Sequence, residues 1–385
     1  MKPGDQRRRR LAEAFQHCFG GVPSLCVRAP GRVDLMGSHT DYNLGFVLTL
    51  PIGLDTWMVA RPRPDRSVRL FSLNSEAGSG FDLDAIVRLP GRAWCNYVRG
   101  VAAMLQAEGF ALTGCDVAIH STVPLRSGLS SSAALECATA TLFQALGGWP
   151  LDPVRKALLC QRAENRFVGV NCGILDQYTS CAGQEGCALL LDCRDLSSRP
   201  VKLAQGIAVV VCDTKSKRAL AGSEYGKRRA QCEEGARRLG VKALREISPA
   251  EFRARESELP PEIARRCRFI VEENVRGLKL GAALADGDRP AIGGLTAASY
   301  QGACELYEIG SPSMQTMMQA MRGAPGVIGA RQAGAGFGGC MVAFVERDRA
   351  ETFADAVRRD YLNAAGIPPE TYAVEAAAGA GVIAP

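Results

Sequence analysis

Short apolar runs alternate with Ala- and Leu-rich stretches along the first half of the chain. The apolar runs predict β-strands, because they are rich in Val, Ile and Leu and are bounded by turn-forming residues. They lie at residues 22–28, 46–50, 68–73, 115–121, 186–192 and 207–212. Residues 133–146 and 153–167 predict helices, since neither stretch has an internal breaker and Pro153 suits a first helical turn. The polar residues 197–200 predict a turn between the last two strands.

The second half of the chain has a mainly helical pattern. Residues 216–239, 262–284, 313–322 and 350–363 predict helices, and a Gly-rich pair of strands is expected near residues 329–345. We therefore predict an α+β protein with two domains, at residues 1–205 and 206–385.

Composition excludes several classes of protein. With 385 residues, 47% apolar and 22% charged, the chain has the composition of a globular protein long enough for two domains. No apolar run approaches the roughly 20 residues that span a bilayer, and the polar N-terminus lacks the apolar segment of a secretory signal. Fifteen cysteines without a CxxC pair indicate thiols in a reducing compartment, so we expect a cytoplasmic protein.

Charge suggests one alternative function. The arginines at residues 7–10, with a net charge of +6, could form a nucleic-acid-binding patch. Four arginines that open a helix are more often a solvated face, and no nucleic-acid-binding motif accompanies them. We therefore expect no nucleic-acid or membrane partner, and a monomer or weak oligomer. Only three histidines are present, so any metal is expected to have oxygen ligands.

The first segment with a chemical pattern is APGRVDLMGSHTDYN, at residues 29–43. A turn follows a predicted strand, and Arg32, His39, Asp41 and Asn43 then come at close spacing. Such donors and acceptors suit a polyhydroxylated ligand, because each hydroxyl needs a partner once it leaves water. An ordinary polar loop that caps a helix would look the same, so this segment alone leaves the choice open.

The second segment is PLRSGLSSSA, at residues 124–133, between a predicted strand and a predicted long helix. Glycine lets backbone amides approach an anion closely, and the helix N-terminus adds partial positive charge. The hydroxyls of Ser130, Ser131 and Ser132 can donate to phosphate, and one can ligate magnesium. No GK[ST] is present, so this is not a Walker A motif. Serines also cap helices, but the strand, glycine, serines and helix together favour a nucleotide loop.

The third segment pairs Glu164, on a predicted helix, with Asp176, which follows a glycine turn in GILDQ. One carboxylate could ligate magnesium and the other could lie beside an acceptor hydroxyl, which is most of what phosphoryl transfer needs. Two solvated surface carboxylates remain the alternative for this pair considered alone.

Together these segments resemble the GHMP kinases, and specifically the galactokinase family. The family pattern GRVNLIGEHTDYN is similar to residues 31–43, GLSSSA to residues 128–133 and GIMDQ to residues 173–177. Further similarity lies in residues 94–98, 223–229 and 334–340, so that the resemblance runs in family order from about residue 25 to residue 345.

The resemblance implies a two-domain GHMP kinase fold with the active site in the cleft, and ATP-dependent phosphorylation of the C1 hydroxyl of a galactose-like sugar. Asp176 would take or orient the proton of that hydroxyl, and Arg32 would neutralise the transferred phosphoryl group. Ser132 and Glu164 would ligate Mg²⁺. The residues implied around ATP are Pro124, Ser127, Gly128, Leu129, Ser130, Ser131, Ser132, Ala133 and Trp94. Those implied around the sugar are Ser38, His39, Asp41, Gly173, Asp176 and Tyr225.

Departures from the family pattern leave the substrate open. Ser38 replaces a glutamate that, in the family, faces the C6 hydroxymethyl of galactose, so a galacturonate or L-arabinose kinase is an alternative. Asp34 replaces the family asparagine, and residues 213–214 and 300–303 also depart. A second alternative is a non-catalytic sugar and ATP sensor, but such relatives lose a Ser-Ala pair that Ser132 and Ala133 retain here.

Overall fold

Two β-sheets of different size carry helices on their outer faces in the computed structural model, which describes residues 3–91, 93–125, 127–216 and 221–383, with the backbone alone at residues 3 and 221–223. The strands are β1 (Leu25–Met36), β2 (Phe46–Pro62), β3 (Ser67–Ser72), β4 (Ala77–Asp82), β5 (Cys115–Ser121), β6 (Cys187–Asp192), β7 (Ser197–Lys202), β8 (Ile207–Asp213), β9 (Val327–Gln332), β10 (Cys340–Glu346), β11 (Glu370–Val374) and β12 (Gly381–Ile383). The first sheet has the order β12-β1-β2-β5-β3-β4, and β6 pairs with β2 and β7. The second sheet is antiparallel with the order β11-β8-β10-β9.

Helices flank both sheets. They are α1 (Pro3–Phe19), α2 (Cys95–Ala107), α3 (Ser131–Gly147), α4 (Pro153–Arg162), α5 (Leu175–Ala182), α6 (Ala221–Arg238), α7 (Pro249–Arg255), α8 (Pro261–Asp286), α9 (Arg289–Glu305), α10 (Pro312–Gly323) and α11 (Ala350–Ala365). A π-helical turn, Ala163–Val168, continues α4. No helix among the residues described is long and apolar enough to cross a bilayer.

One apolar core joins the two sheets. Val33 and Leu48 of the first sheet pack in the same buried cluster as Val209, Val342 and Phe344 of the second. A second core lies between the first sheet and helices α2 to α5, and a third lies between the second sheet and helices α10 and α11. Burial on both faces explains why β8 and β10 are continuous apolar runs in the sequence.

The predicted α+β class is confirmed, and β5 matches its predicted bounds. The turn predicted at residues 197–200 is wrong, because these residues lie in β7, which pairs antiparallel with β6. Their side chains are mostly exposed, and Pro200 is tolerated because β7 is an edge strand. Of the helix predicted at residues 216–239, α6 covers Ala221–Arg238, and residues 217–220 lie outside those described.

The N-terminal arginines are not all solvated, so the solvated-face interpretation is wrong for Arg7. Its guanidinium pairs with Asp55, donates from Nε to His120 Nδ1 at 2.9 Å and lies 4.6 Å from the Trp57 ring centre. Arg9 remains exposed. Because Leu11 and Phe15, on the same helix, are fully buried against the first sheet, α1 is held by both charge and apolar contact.

The predicted division of the chain near residue 205 falls between β7 and β8. Residues 381–383 return to the first sheet as β12, antiparallel to β1. The domain limits themselves stay a prediction.

Candidate active site

An ion pair between Arg32 on β1 and Asp176 in the first turn of α5 lies at the centre of the predicted site. Arg32 Nε donates to Asp176 Oδ1 at 2.8 Å, and Nη2 donates to the same oxygen. Arg32 Nη1 donates to the carbonyl oxygen of Gly128, 2.5 Å away. The Arg32 side chain is 7% exposed but that of Asp176 is 26% exposed, so the carboxylate can be reached from outside.

The serine loop before α3 is arranged for an anion. Ser130 is the residue before α3, yet it has a left-handed backbone and its side chain makes no capping hydrogen bond. Its Oγ is buried and has no hydrogen-bond partner. An uncapped helix N-terminus with an orphaned hydroxyl indicates a ligand-binding loop and not a serine cap. Gly128, at φ 94°, supplies the left-handed backbone that starts the turn.

Glu164 lies where an oxygen-ligated cation could bind beside this loop. It is buried on the π-helical turn and accepts a hydrogen bond from Gln177 Nε2 at 2.7 Å. Burial and the nearby Asp176 carboxylate raise the pKa of Glu164 to about 7, while a hydrogen bond with Ser132 opposes that rise. A hydroxyl and a carboxylate are suitable magnesium ligands when substrate phosphates complete the shell. The residues described contain no larger His, Cys, Asp or Glu cluster that could hold a metal.

His39 lies on the side of the site predicted to bind the sugar, and a chain of hydrogen bonds fixes its ring. Its Nε2 faces the Ala335 carbonyl at 3.0 Å, which can only accept, so Nε2 carries the proton. Its Nδ1 therefore accepts from the Tyr42 hydroxyl at 2.8 Å, and Tyr307 in turn donates to Tyr42 at 2.8 Å. Burial lowers the pKa of His39 to about 4, consistent with a neutral ring. Both nitrogens are bonded to protein, so His39 orders this side of the site.

Asp41, Gly173 and Tyr225 lie together near the Asp176 carboxylate. Asp41 Oδ1 accepts from the Tyr42 amide at 2.9 Å, and a Cβ at residue 173 would lie only 1.6 Å from Asp41 Oδ2. Only glycine therefore allows the residue 173 backbone to approach this carboxylate. Burial, and less strongly the Asp176 charge, raise the pKa of Asp41 to about 6. The Tyr225 ring lies 5.1 Å from that of His39.

Two predicted ligand residues lie away from this group. Ser38 is 2% exposed and its hydroxyl donates to Asp34 Oδ2 at 2.6 Å. Trp94, just before α2, packs against the core between the first sheet and its helices. The position of Trp94 neither assigns nor removes a role beside adenine, which stays a prediction.

The glycine-rich loop between β9 and β10 closes the site. The Cys340 amide donates to the Ser127 carbonyl at 3.0 Å, which joins this loop to the serine loop. A Cβ at residue 334 would lie 3.9 Å from Arg32 Nη2. The Ala335 carbonyl accepts a hydrogen bond from His39. The loop therefore lies against the serine loop, Arg32 and His39. Residues from both sheets therefore build the site.

Sequence reasoning missed the residues that support these side chains. Gln177 Nε2 donates to Glu136 as well as to Glu164, at 3.0 and 2.7 Å. Tyr42 and Gln177 each lie inside a recognised motif, which was a usable signal. Glu136 offered only its polar character in an otherwise apolar helical segment, and Tyr307 lies just after the end of α9.

The sequence matches three family profiles. GHMP kinases N terminal domain matches residues 96–184, GHMP kinases C terminal matches residues 282–363, and the galactokinase galactose-binding signature matches residues 13–62. The galactokinase of Chloroflexus aggregans is 44% identical over 371 residues, 95% of each chain. That of Roseiflexus sp. is 43% identical over 376 residues, 96% of each chain.

Solved structures give the same result. The galactokinase of Lactococcus lactis complexed with galactose has a TM-score of 0.93 and 33% identity, covering 97% of this chain and 99% of that one. The mevalonate kinase of Methanococcus jannaschii shares the fold alone, with a TM-score of 0.64 and 16% identity over 92% of this chain and 98% of that one. Relatives that are more than 40% identical over nearly the whole length of both chains establish the family of this chain. This chain belongs to the galactokinase family of the GHMP kinases.

Proposed function

We propose that the protein transfers the γ-phosphoryl group of ATP to the C1 hydroxyl of galactose, giving galactose 1-phosphate and ADP. The observation that carries this proposal is the Arg32–Asp176 ion pair, which lies between the serine loop and the Asp41–His39 wall. A partly exposed carboxylate and a fixed cation are thereby presented where a phosphate site and a hydroxyl-binding site meet.

Asp176 acts on the acceptor. The C1 oxygen attacks the γ-phosphorus as the bond from phosphorus to the β–γ bridging oxygen breaks, and the hydroxyl proton passes to Asp176 or is oriented by its charge. Arg32 keeps the Asp176 carboxylate in place through two nitrogens. Its positive charge also lies near the loop that receives the phosphates, because its third nitrogen bonds Gly128.

The phosphate side rests on the serine loop. The Ser130 hydroxyl and the uncapped amides at the start of α3 bind the phosphates, with Pro124, Ser127, Gly128, Leu129 and Ala133 shaping the loop. We assign Ser132 and Glu164 as Mg²⁺ ligands, and that ion would supply positive charge to neutralise the phosphate oxygens. We also propose, on the family resemblance, that Trp94 lies beside the adenine.

The sugar side rests on Asp41, the backbone at Gly173 and the Tyr225 ring. Asp41 provides a buried carboxylate whose Oδ2 lies beside Gly173, and Tyr225 lies against the His39 ring. His39 and Ser38 contribute by ordering the segment around Asp41, because their polar side-chain atoms are already bonded to protein.

The alternatives are not favoured. The curated relatives that match over nearly the whole chain carry the name galactokinase, which supports galactose over galacturonate and L-arabinose. The sensor alternative is opposed by the arrangement of Arg32, Asp176 and Ser132, since Arg32 pairs with Asp176 and both Asp176 and Ser132 interact with Glu164.

We also infer a cytoplasmic location. All 15 cysteines are free, and most of their thiols are buried among apolar side chains. Such a protein is suited to a reducing compartment. The monomeric or weakly oligomeric state stays a prediction.

The test is ATP consumption by purified protein with galactose, galacturonate, L-arabinose, glucuronate and glucose, with the phosphate of the product located by NMR. We expect turnover on galactose, with the phosphate at C1. Faster turnover on galacturonate or L-arabinose, or sugar binding without turnover on any of the five, would contradict the proposal.

A further inference from the structure

A buried polar cluster lies directly behind the sugar-site segment. It consists of Asp34, Ser38, Glu273, Ser299 and Arg331, and we call it the Arg331 cluster. Arg331 Nη2 donates to Ser38 Oγ at 2.9 Å and to Glu273 Oε1 at 3.0 Å. Arg331 Nε donates to Ser299 Oγ at 3.0 Å, and Ser299 donates to Glu273 at 2.8 Å. The cluster therefore links β1 and its following turn to α8, α9 and β9.

The charges of the cluster are balanced and enclosed. Arg331 and Glu273 are 0% exposed and Asp34 is 1% exposed. Arg276 pairs with Glu273 at 2.7 Å and with the more exposed Glu272 at 3.2 Å, so within the enclosed part Arg331 and Arg276 face Asp34 and Glu273. A buried charge that loses its partner is strongly destabilising, so the count of charges here matters more than it would at a surface.

Asp34 is the member of the Arg331 cluster whose carboxylate has an oxygen without a hydrogen bond. Its Oδ2 accepts from Ser38, but its buried Oδ1 has no hydrogen-bond partner and lies 3.7 Å from Arg331 Nη1. Asp34 follows Arg32 by two positions on β1, which places both side chains on the same face of the strand. The charge of Asp34 also contributes to the raised pKa of Asp41. Asp34 therefore interacts both with the Arg331 cluster and with a residue of the sugar side.

The cluster also fixes the turn that presents His39 and Asp41. Ser38 is held from two sides, and the Gly37 amide donates to Glu273 Oε1 at 3.4 Å. His39 has a left-handed backbone, at φ 67°, which costs energy in a residue with a side chain. The contacts of its neighbours 37 and 38 hold this strained conformation in place.

Two departures from the family pattern thus meet in one hydrogen bond. Asp34 stands where the pattern has Asn, Ser38 stands where it has Glu, and the two side chains are 2.6 Å apart. In this chain the carboxylate of the pair is supplied by Asp34, which lies 3.7 Å from Arg331.

We propose that Asp34 is a positioning residue for the sugar site, and that residues 34 and 38 act as a unit which must carry one negative charge against Arg331. The charge holds Arg331 and the residue 38 side chain together, and these fix the turn at residues 37–41. This inference rests on the proposed function.

A double-mutant cycle tests the proposal. Asp34→Asn removes one of the two carboxylates that face Arg331, and Ser38→Glu adds a third buried carboxylate. Each single variant is expected to raise the KM for galactose about tenfold, with the KM for ATP changed by less than about twofold. The double variant, Asp34→Asn with Ser38→Glu, restores the balance and should return the KM for galactose to within about threefold of the wild-type value.

The outcomes separate the possibilities. A double variant as impaired as the sum of the singles, or singles that raise both KM values equally, would overturn the proposal. If a single variant does not fold, the double variant alone decides: folding with a near-normal KM for galactose supports the unit, and failure to fold or to bind galactose refutes it. Wild-type protein without turnover on galactose would instead refute the proposed function, so the two failures are distinguishable.

Discussion

Arg32 holds one oxygen of Asp176 with two of its nitrogens and the Gly128 carbonyl with the third. One guanidinium therefore sets the distance between the carboxylate beside the acceptor and the loop that receives the phosphates. Since a planar guanidinium offers its donors in a fixed geometry, this spacing is built into the folded protein before substrates bind.

Replacing Asp176 with asparagine tests the role of its charge. Asp176→Asn keeps the shape but removes the proton acceptor, so kcat should fall by a factor of about 10²–10⁴. Binding of a non-hydrolysable ATP analogue, measured by calorimetry, should be nearly unchanged. Asp286→Asn, at an exposed position on α8, is the matched control and should keep full activity. Turnover near the wild-type rate would remove Asp176 from the mechanism.

Sugar binding should weaken below about pH 6. The raised pKa of Asp41, about 6, means that this carboxyl gains its proton as the pH falls through 6 and then loses the charge with which it accepts sugar hydrogen bonds. His39, with a pKa of about 4, stays neutral over the same range and does not contribute.

The measurement is the KM for galactose between pH 5 and 8 at saturating MgATP. It should rise as the pH falls through about 6, whereas the KM for MgATP is expected to change at higher pH because the pKa of Glu164 is about 7. Asp41→Asn should raise the KM for galactose at every pH and remove this pH dependence; a dependence that survives the substitution would place the titrating group elsewhere.

Glu164 should set the magnesium requirement. Glu164→Gln keeps the hydrogen-bonding size but loses the charge, so the Mg²⁺ concentration for half-maximal activity should rise by about 10- to 100-fold. Titration of activity with Mg²⁺ at fixed ATP measures the change. Glu351→Gln, exposed in the first turn of α11, is the control. An unchanged titration curve would show that Glu164 is not a ligand.

Arg7 should matter for stability and Arg9 should not. Arg7→Ala takes one of two cations from the buried Asp55, which keeps Arg28 as a partner, so the free energy of unfolding should fall by about 1–3 kcal/mol. Arg9 pairs only with exposed Glu13, so Arg9→Ala should change the free energy of unfolding by less than about 1 kcal/mol. Urea denaturation of both variants measures the difference, and equal effects would mean that α1 is held by Leu11 and Phe15 alone.

Local patterns predicted the parts of the site that depend on neighbouring residues. The serine loop, the Asp176 turn and the Asp41 segment are each carried by a short motif, and the structure brings all three together. Their common position between two sheets follows from the tertiary fold, which the resemblance supplied and composition could not.

Contacts between distant residues could not be predicted. Tyr42 and Tyr307 are 265 residues apart, and Ser38 and Arg331 are 293 apart, so no window of sequence shows either pair. Arg7 was misassigned for the same reason, since its partner Asp55 comes 48 residues later on a strand. Residues 197–200 were misassigned because an exposed edge strand has the polar composition of a turn.

The pairing of β12 with β1 has a practical consequence. The strand that carries Arg32 would otherwise present a free row of backbone donors and acceptors along residues 26–28. A shortened protein that ends before residue 381 would leave that row open to a second molecule, and aggregation could then be mistaken for loss of catalysis. The three residues of β12 occupy the backbone groups of residues 26–28 and so prevent strand pairing between molecules at this part of the sheet.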